Sequence, residues 1–316
     1  MSDDTPIFVE LPPEDPEHGR KCGRLKRHLF GTRGAVAGWE DEYSAFLQNI
    51  GFQRGLASGC LFYHPDRDLR VVVYGDDFTI VGGRPEVSWF ESTMEERYAI
   101  TKRGRLGSGA EDQEEMILLN RVVRWVDDVG IEIEADPRQA ERLVAQLGLT
   151  GSNPVGTPGV KSTTEELESD EPIHDGRNKV YQAGSARANY TGPDRPEIQF
   201  AVKECCRRMS GPTELALKGL KRVGRFMEGH PRLVAMMDFQ EARPIDVFVD
   251  SDYAGCPRTR KSTSGGCVMV GGHLVKSWSS TQKNTISLSS GEAELYAVVK
   301  GVGQGIGLVQ YMADLG

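Results

Sequence analysis

With 316 residues, the chain can form two or three domains, and its composition of 38% hydrophobic and 27% charged residues is typical of globular proteins. It has no apolar run long enough to cross a bilayer, no signal-peptide pattern and no C-x-x-C cysteine pair, which predicts an intracellular protein, cytoplasmic or nuclear, without membrane contact. A net charge of −8 argues against a dedicated nucleic-acid binder, so any such function must depend on local basic patches.

The first half of the chain predicts a helix followed by short strands. Residues 38–52 have apolar side chains at helical spacing. Strands are predicted at 59–63, 70–74 and 78–82. The last two strands form a hairpin with the sequence VVVYGDDFTIVGG, in which Gly75 permits a tight turn and Asp76 and Asp77 lie at the tip.

Two adjacent carboxylates repel each other, and a divalent metal at the hairpin tip would account for Asp76 and Asp77. Strand side chains alternate in direction, so one carboxylate can bind the metal directly while the other coordinates loosely or orients water. Nucleotidyl transfer uses carboxylates that hold two Mg²⁺ ions about 4 Å apart. The alternative is structural, because aspartate is a favoured turn residue.

The middle of the chain predicts helices separated by an exposed connection. Asp136, Pro137 and Gln139 form a helix start with a capping box, and residues 151–178 form a polar connection and candidate domain boundary. Two further helices begin at Pro196 and near Thr213, and the second ends at Gly229. Its polar face carries four cations that could follow a phosphate backbone or form a solvated stripe: Lys218, Lys221, Arg222 and Arg225.

The last 70 or so residues predict strands and a final helix. A strand at 246–250 ends in Asp250, a hairpin turns at Gly271 and Gly272, and Ser289 with Glu292 forms a capping box before a helix at 293–300. Four alternating glycines, from 301 to 307, should weaken the rest of this helix by about 1 kcal/mol each. An aspartate at the strand end, Asp250 or Asp252, and a glutamate at the helix start, Glu292 or Glu294, could share a metal, although a turn role for the aspartates and a capping role for Glu292 are the alternatives.

Several of these stretches resemble the reverse transcriptase–ribonuclease H part of a copia-type LTR retrotransposon Pol polyprotein, over nearly the whole chain. The hairpin VVYGDDFTIVGG is similar to the family's Tyr-x-Asp-Asp hairpin, and residues 194–229 resemble its TRPDI…LRYLKGT segment. The longest match is at 249–297, where VDSDYAG, RKSTSGG and SSGEAELYA resemble the ribonuclease H signature SDADWAG…RKSTSG…EAEY.

The resemblance implies an α/β (α+β) fold in three parts. Residues 1–150 would be a partial reverse-transcriptase palm and thumb, 151–245 a linker and helical connection, and 246–316 the N-terminal half of a ribonuclease H-like fold. Asp76 and Asp77 would be catalytic metal ligands of the polymerase, and Asp250 and Glu294 those of the nuclease. The implied cofactor is Mg²⁺, with Mn²⁺ as an alternative. The implied partners are an RNA template, a DNA primer, dNTPs, the RNA–DNA hybrid and the rest of the Pol polyprotein.

The chain departs from the family pattern at both ends. A third polymerase aspartate would precede its first residues, and two further nuclease carboxylates would follow Gly316, so we expect a truncated segment that is inactive alone. The alternatives are a non-catalytic remnant that binds nucleic acid and, because of Gly75, a protein similar to viral RNA-dependent RNA polymerases.

Overall fold

The computed structural model describes residues 6–29, 31–174, 176–241, 243–282 and 286–316, which form an α+β protein with several antiparallel sheets. The chain divides into two compact units. Unit 1 contains the residues up to Thr101 together with Gly307–Gly316, and unit 2 contains Lys102–Ile306. Among the described helices, none combines the length and apolar character that a membrane crossing requires. The three functional domains predicted from the sequence stay predictions.

Unit 1 is built around a four-stranded antiparallel sheet. Its elements are β1 (Phe8–Glu10), β2 (Cys22–Arg24), α1 (Arg33–Asn49), β3 (Gln53–Arg54), β4 (Leu61–His64), β5 (Leu69–Tyr74), β6 (Asp77–Val81) and α2 (Arg84–Arg97). β1 and β2 pair with each other, and β3 to β6 follow one another across the larger sheet. The predicted helix and hairpin are confirmed, whereas α2 was not among the predicted elements.

The core of unit 1 follows from the strand alternation. In β5, Leu69, Val71 and Val73 are buried, and the residues between them are more exposed. Because side chains on a strand alternate between faces, this places one apolar face against the helices. Phe62 on β4 joins that core with no exposed surface.

Unit 2 holds the remaining elements, apart from the end of the final helix, which from Gly307 belongs to unit 1. They are β7 (Glu115–Leu118), β8 (Arg121–Val126), β9 (Gly130–Glu134), α3 (Pro137–Gln146), α4 (Thr164–Glu168), α5 (Arg177–Thr191), α6 (Gln199–Cys206), α7 (Glu214–Gly229), β10 (Val234–Asp238), β11 (Ile245–Asp252), β12 (Thr263–Val270), β13 (His273–Thr281) and α8 (Ser290–Asp314). One sheet has the order β10-β9-β8-β7 and the other the order β11-β12-β13. The helices α3, α5, α6 and α7 enclose the larger apolar core.

Two predicted helix starts are found with small differences. Asp136 caps α3 by accepting a hydrogen bond from the Arg138 N–H at 3.1 Å. In a capping box the Gln139 side chain would accept from the Asp136 N–H, but it instead donates its amide to the Asp136 carboxylate at 3.2 Å. Thr213 caps α7, and its hydroxyl accepts from the Ala216 N–H at 3.3 Å. The predicted capping box at Asp136 is therefore wrong in its second half.

The final helix corrects the prediction about its glycines. α8 continues through Gly301, Gly303 and Gly305 to Asp314. A Cβ at Gly301 would lie 2.3 Å from Val249 Cγ1, and one at Gly305 would lie 2.9 Å from Val247 Cγ2. These glycines let the helix backbone approach β11 closely, so packing against the sheet offsets their low helix propensity.

Alanine at two of these glycines should have opposite effects. Gly301→Ala should lower the free energy of unfolding by about 1–2 kcal/mol, because the new methyl group overlaps Val249. Gly303→Ala, where a Cβ meets nothing within 4 Å, should raise it by about 0.5–1 kcal/mol through helix propensity alone. Urea denaturation measures both, and equal effects would contradict the packing of α8 on β11.

Candidate functional site

The Asp76–Asp77 pair lies at the tip of the β5–β6 hairpin. Tyr74 pairs with Asp77, which leaves Gly75 and Asp76 as a two-residue turn. Gly75 has a φ of +67°, and a glycine with positive φ at the first central position is what a type II′ hairpin turn requires. The sequence therefore fixes this turn locally.

Trp39 on α1 anchors the same turn. Its indole N–H donates a hydrogen bond to the Gly75 carbonyl at 2.9 Å, and its ring packs edge-on against Phe78, just after the carboxylates. The sequence prediction missed this residue. The signal was present, because Trp39 lies four positions before Tyr43, one of the apolar residues at helical spacing within 38–52, and so on the same helical face.

Both carboxylates at the tip are exposed to solvent. In the described part of the chain, no hydrogen bond or ion pair reaches either of them, and no group of three or more Asp, Glu, His or Cys side chains could hold a metal ion. The donor type fits Mg²⁺, which prefers carboxylate oxygens and retains several waters. The number of donors fits poorly, because the hairpin itself supplies only two carboxylates.

Asp250 lies on the face of the β11–β13 sheet that contacts α6. Asp250 and Asp252 line a cleft of about 370 Å³ together with Phe200 of α6. The residues that alternate with them, Val247 and Val249, contact the glycines of α8 on the other face. Asp250 and the glycines of α8 therefore lie on opposite faces of the sheet. The metal that was predicted to join Asp250 with Glu294 of α8 stays a prediction.

The carboxylates beside this predicted pair have structural partners. Asp252 Oδ1 accepts a hydrogen bond from the Thr263 N–H across the ladder. Glu292 Oε2 accepts from the Leu288 N–H at 2.7 Å, and the Glu292 N–H donates to Ser289 Oγ at 3.1 Å. This arrangement favours the capping role for Glu292 that the sequence left open.

Three of the four cations on α7 hold the connection between α3 and α5. Lys218 Nζ lies 2.6 Å from Glu166 Oε1. Arg222 donates to the Thr157 hydroxyl at 2.8 Å, and Arg225 donates to the Asn153 carbonyl at 2.7 Å. Lys221 is exposed and has no ion pair with any described residue. The stripe thus has a structural role, and only Lys221 is left open for a phosphate within the described part.

Known proteins resemble the chain along almost its full length. It is 26% identical over 305 residues to the retrovirus-related Pol polyprotein from transposon RE1 of Arabidopsis thaliana, a match that covers 94% of this chain. It is 25% identical over 296 residues, or 92% of this chain, to the corresponding polyprotein from transposon RE2. These matches support a fragment of a retrotransposon Pol polyprotein.

The chain spans about a fifth of these Pol polyproteins, 20% of the RE1 protein and 19% of the RE2 protein. An uncharacterized mitochondrial protein of the same plant is 31% identical over 181 residues, which cover 54% of this Pol-related chain and 72% of that protein. No protein-family model matches the chain, and no solved structure does.

Proposed function

We propose that this chain is the reverse transcriptase–ribonuclease H segment of a copia-type LTR retrotransposon polyprotein. In the intact polyprotein, the segment would help to extend a DNA primer on an RNA template with dNTPs and to cut the RNA of the RNA–DNA hybrid. The observation that carries the proposal is the exposed Asp76–Asp77 pair on a two-residue turn of an antiparallel sheet. The Pol relatives, which match most of this chain, support it, and they give no support to the viral RNA polymerase alternative.

Each part of the chain has a distinct role in this proposal. Asp76 and Asp77 would hold Mg²⁺ at the polymerase site of the intact polyprotein, and the ion would supply the positive charge that nucleotidyl transfer needs. Trp39 would hold the turn in position against α1 through its hydrogen bond to the Gly75 carbonyl. The three strands β11 to β13 followed by α8 would form the opening half of the nuclease, with Asp250 and Glu294 as its metal ligands.

The isolated chain should be inactive in both reactions. The two carboxylates at the hairpin tip repel each other, and the described residues supply no third ligand to complete a site for two metal ions. The metal should therefore bind weakly and without the fixed geometry that in-line transfer requires.

Primer extension tests this expectation. The purified chain, Mg²⁺, dNTPs and a primed RNA template should give no extension above background, and the Asp76→Asn variant should give the same result. Extension by the chain that disappears in Asp76→Asn would contradict the prediction. A longer polyprotein segment from the same source, which should extend the primer, serves as the positive control.

A second candidate function is a non-catalytic remnant that binds nucleic acid, and the exposed Lys221 favours it. If α7 contacts phosphates, affinity for an RNA–DNA hybrid should fall steeply with salt, and Lys221→Ala should reduce the magnitude of the log–log slope by about 1. Arg222→Ala should also loosen the connection, because Arg222 holds Thr157. Lys179→Ala, at an exposed lysine on α5, is the matched control and should leave the slope unchanged. An unchanged slope in Lys221→Ala would remove α7 as the contact.

A further inference from the structure

A second cavity lies at one end of the β7–β10 sheet, and the proposed polymerase and nuclease reactions do not use it. Its volume is about 490 Å³, and it is lined by Ser108, Trp125, Asp127, Asp128 and Phe239. Two aromatic rings and two carboxylates in one cavity form a combination that suits an organic cation.

The strand register explains why the two rings meet. Trp125 on β8 pairs with Ile131 on β9, and Ile131 pairs with Met237 on β10. Paired residues share a face, and Phe239 lies two positions after Met237, so Trp125 and Phe239 project from the same face. Their ring centroids are 5.1 Å apart with planes inclined at 52°, so the two rings pack together at the wall of the cavity.

The β8–β9 turn and the ladder hold the site in place. The Phe239 N–H donates to the Val129 carbonyl at 2.7 Å, which extends the β9–β10 ladder to the ring. The Trp125 indole N–H donates to Asp127 Oδ1 at 2.8 Å and so fixes the larger ring. Asp128 has a φ of +58° at the turn and is exposed.

The charge of the cavity is negative. Two of its lining residues are aspartates, and no lysine or arginine is among the described residues that line it. Asp127 is engaged with the indole, whereas Asp128 has no hydrogen bond or ion pair within the described part. A cation in the cavity would therefore meet aromatic surface and a carboxylate.

We propose that this cavity binds a methylated ammonium group, carried by a trimethylated lysine side chain of a peptide. A trimethylammonium group has no N–H donors and holds water weakly, so it loses less hydration on aromatic rings than a bare lysine ammonium does. A phosphocholine group has the same cation, but its phosphate would approach the two aspartates and be repelled. The carboxylates thus favour a methylated lysine over a lipid headgroup.

Binding of four small probes to the whole chain tests the proposal. The probes are capped trimethyllysine, capped lysine, the neutral analogue of trimethyllysine in which carbon replaces the nitrogen, and phosphocholine. The readout is the ¹H–¹⁵N signal of the Trp125 indole, assigned by its loss in Trp125→Phe. Trimethyllysine should bind about 2- to 30-fold more tightly than each of the other three, the range expected for a cation over aromatic rings.

Variants separate the cation site from a merely apolar cavity. Phe239→Leu and Asp128→Asn should each weaken trimethyllysine binding by about threefold or more, with little change for the neutral analogue. Phe248→Leu, at an exposed phenylalanine of β11, is the matched control and should change neither. Equal binding of trimethyllysine and the neutral analogue would overturn the proposal, as would an unaffected Phe239→Leu. Equal binding of phosphocholine would overturn the choice of a peptide.

Discussion

Replacing Glu134 by glutamine should lower the free energy of unfolding by about 2–3 kcal/mol, the cost of weakening charged hydrogen bonds at a buried acceptor. The Glu134 side chain is only 2% exposed, and it lies at the end of β9. Arg232 donates to it from Nε at 2.5 Å and from Nη2 at 2.9 Å, and Arg124 Nη2 lies 2.8 Å from Oε2. Glutamine has nearly the same shape as glutamate but lacks the negative charge that pairs with the guanidinium groups of Arg232 and Arg124.

The same group predicts a dependence of stability on pH. The hydrogen bonds from Arg232, together with those from Arg124, lower the pKa of Glu134 below its ordinary value despite burial. A carboxylate whose pKa is lower in the folded state stabilises the protein above its unfolded pKa, about 4.3. That stability is lost as the pH falls through the lower folded pKa. The difference between the protein and Glu134→Gln should thus be full at pH 7 and shrink below about pH 4.

Glu132 provides the matched control for this prediction. It lies two positions earlier on β9, is 31% exposed at the side chain and approaches Arg124 only to 3.7 Å. Glu132→Gln should change the free energy of unfolding by about 0.5 kcal/mol or less, as for most surface ion pairs. Urea denaturation at pH 7 compares the two variants. Equal destabilisation by both would show that the burial of Glu134 does not matter.

The elements that the sequence predicted best are those with local signals. The β5–β6 hairpin follows from Gly75 between valine-rich strands, and α7 follows from its cap at Thr213 and its end at Gly229. The positions of Asp76 in the turn and of Asp77 in the first pair of the ladder follow in the same way, because a two-residue turn fixes the register of the hairpin. These features need no information from distant parts of the chain.

The features that were missed depend on distant contacts. β10 pairs with β9, so that Val234 lies opposite Glu134. No local sequence pattern in either strand predicts that pairing. The prediction for the glycines of α8 used helix propensity alone, whereas in the structure Gly301 and Gly305 let the helix backbone pack closely against Val249 and Val247. Likewise, spacing predicted that the cations of α7 follow a phosphate backbone or form a solvated stripe, but three of them bind Glu166 and the connection.

Weak Mn²⁺ binding at the hairpin tip is the second large effect that we expect. Mn²⁺ serves as a paramagnetic probe for Mg²⁺, and both ions accept carboxylate oxygens. In water, one unit charge about 4 Å from a divalent ion contributes about 2 kcal/mol. Asp76→Asn should therefore weaken binding at the tip by more than about tenfold. Asp66→Asn is the matched control, because Asp66 is an exposed turn aspartate between β4 and β5 of the same sheet.

Site-resolved NMR line broadening by Mn²⁺ in the whole chain makes this measurement. The proposed role of the hairpin predicts that the amide signals of residues 74–78 broaden first, that Asp76→Asn and Asp77→Asn abolish the effect, and that Asp66→Asn preserves it. If Mn²⁺ broadens other signals first, or if the tip broadens equally in Asp76→Asn, the carboxylate pair does not bind a metal. That result would contradict the proposed polymerase role of this hairpin.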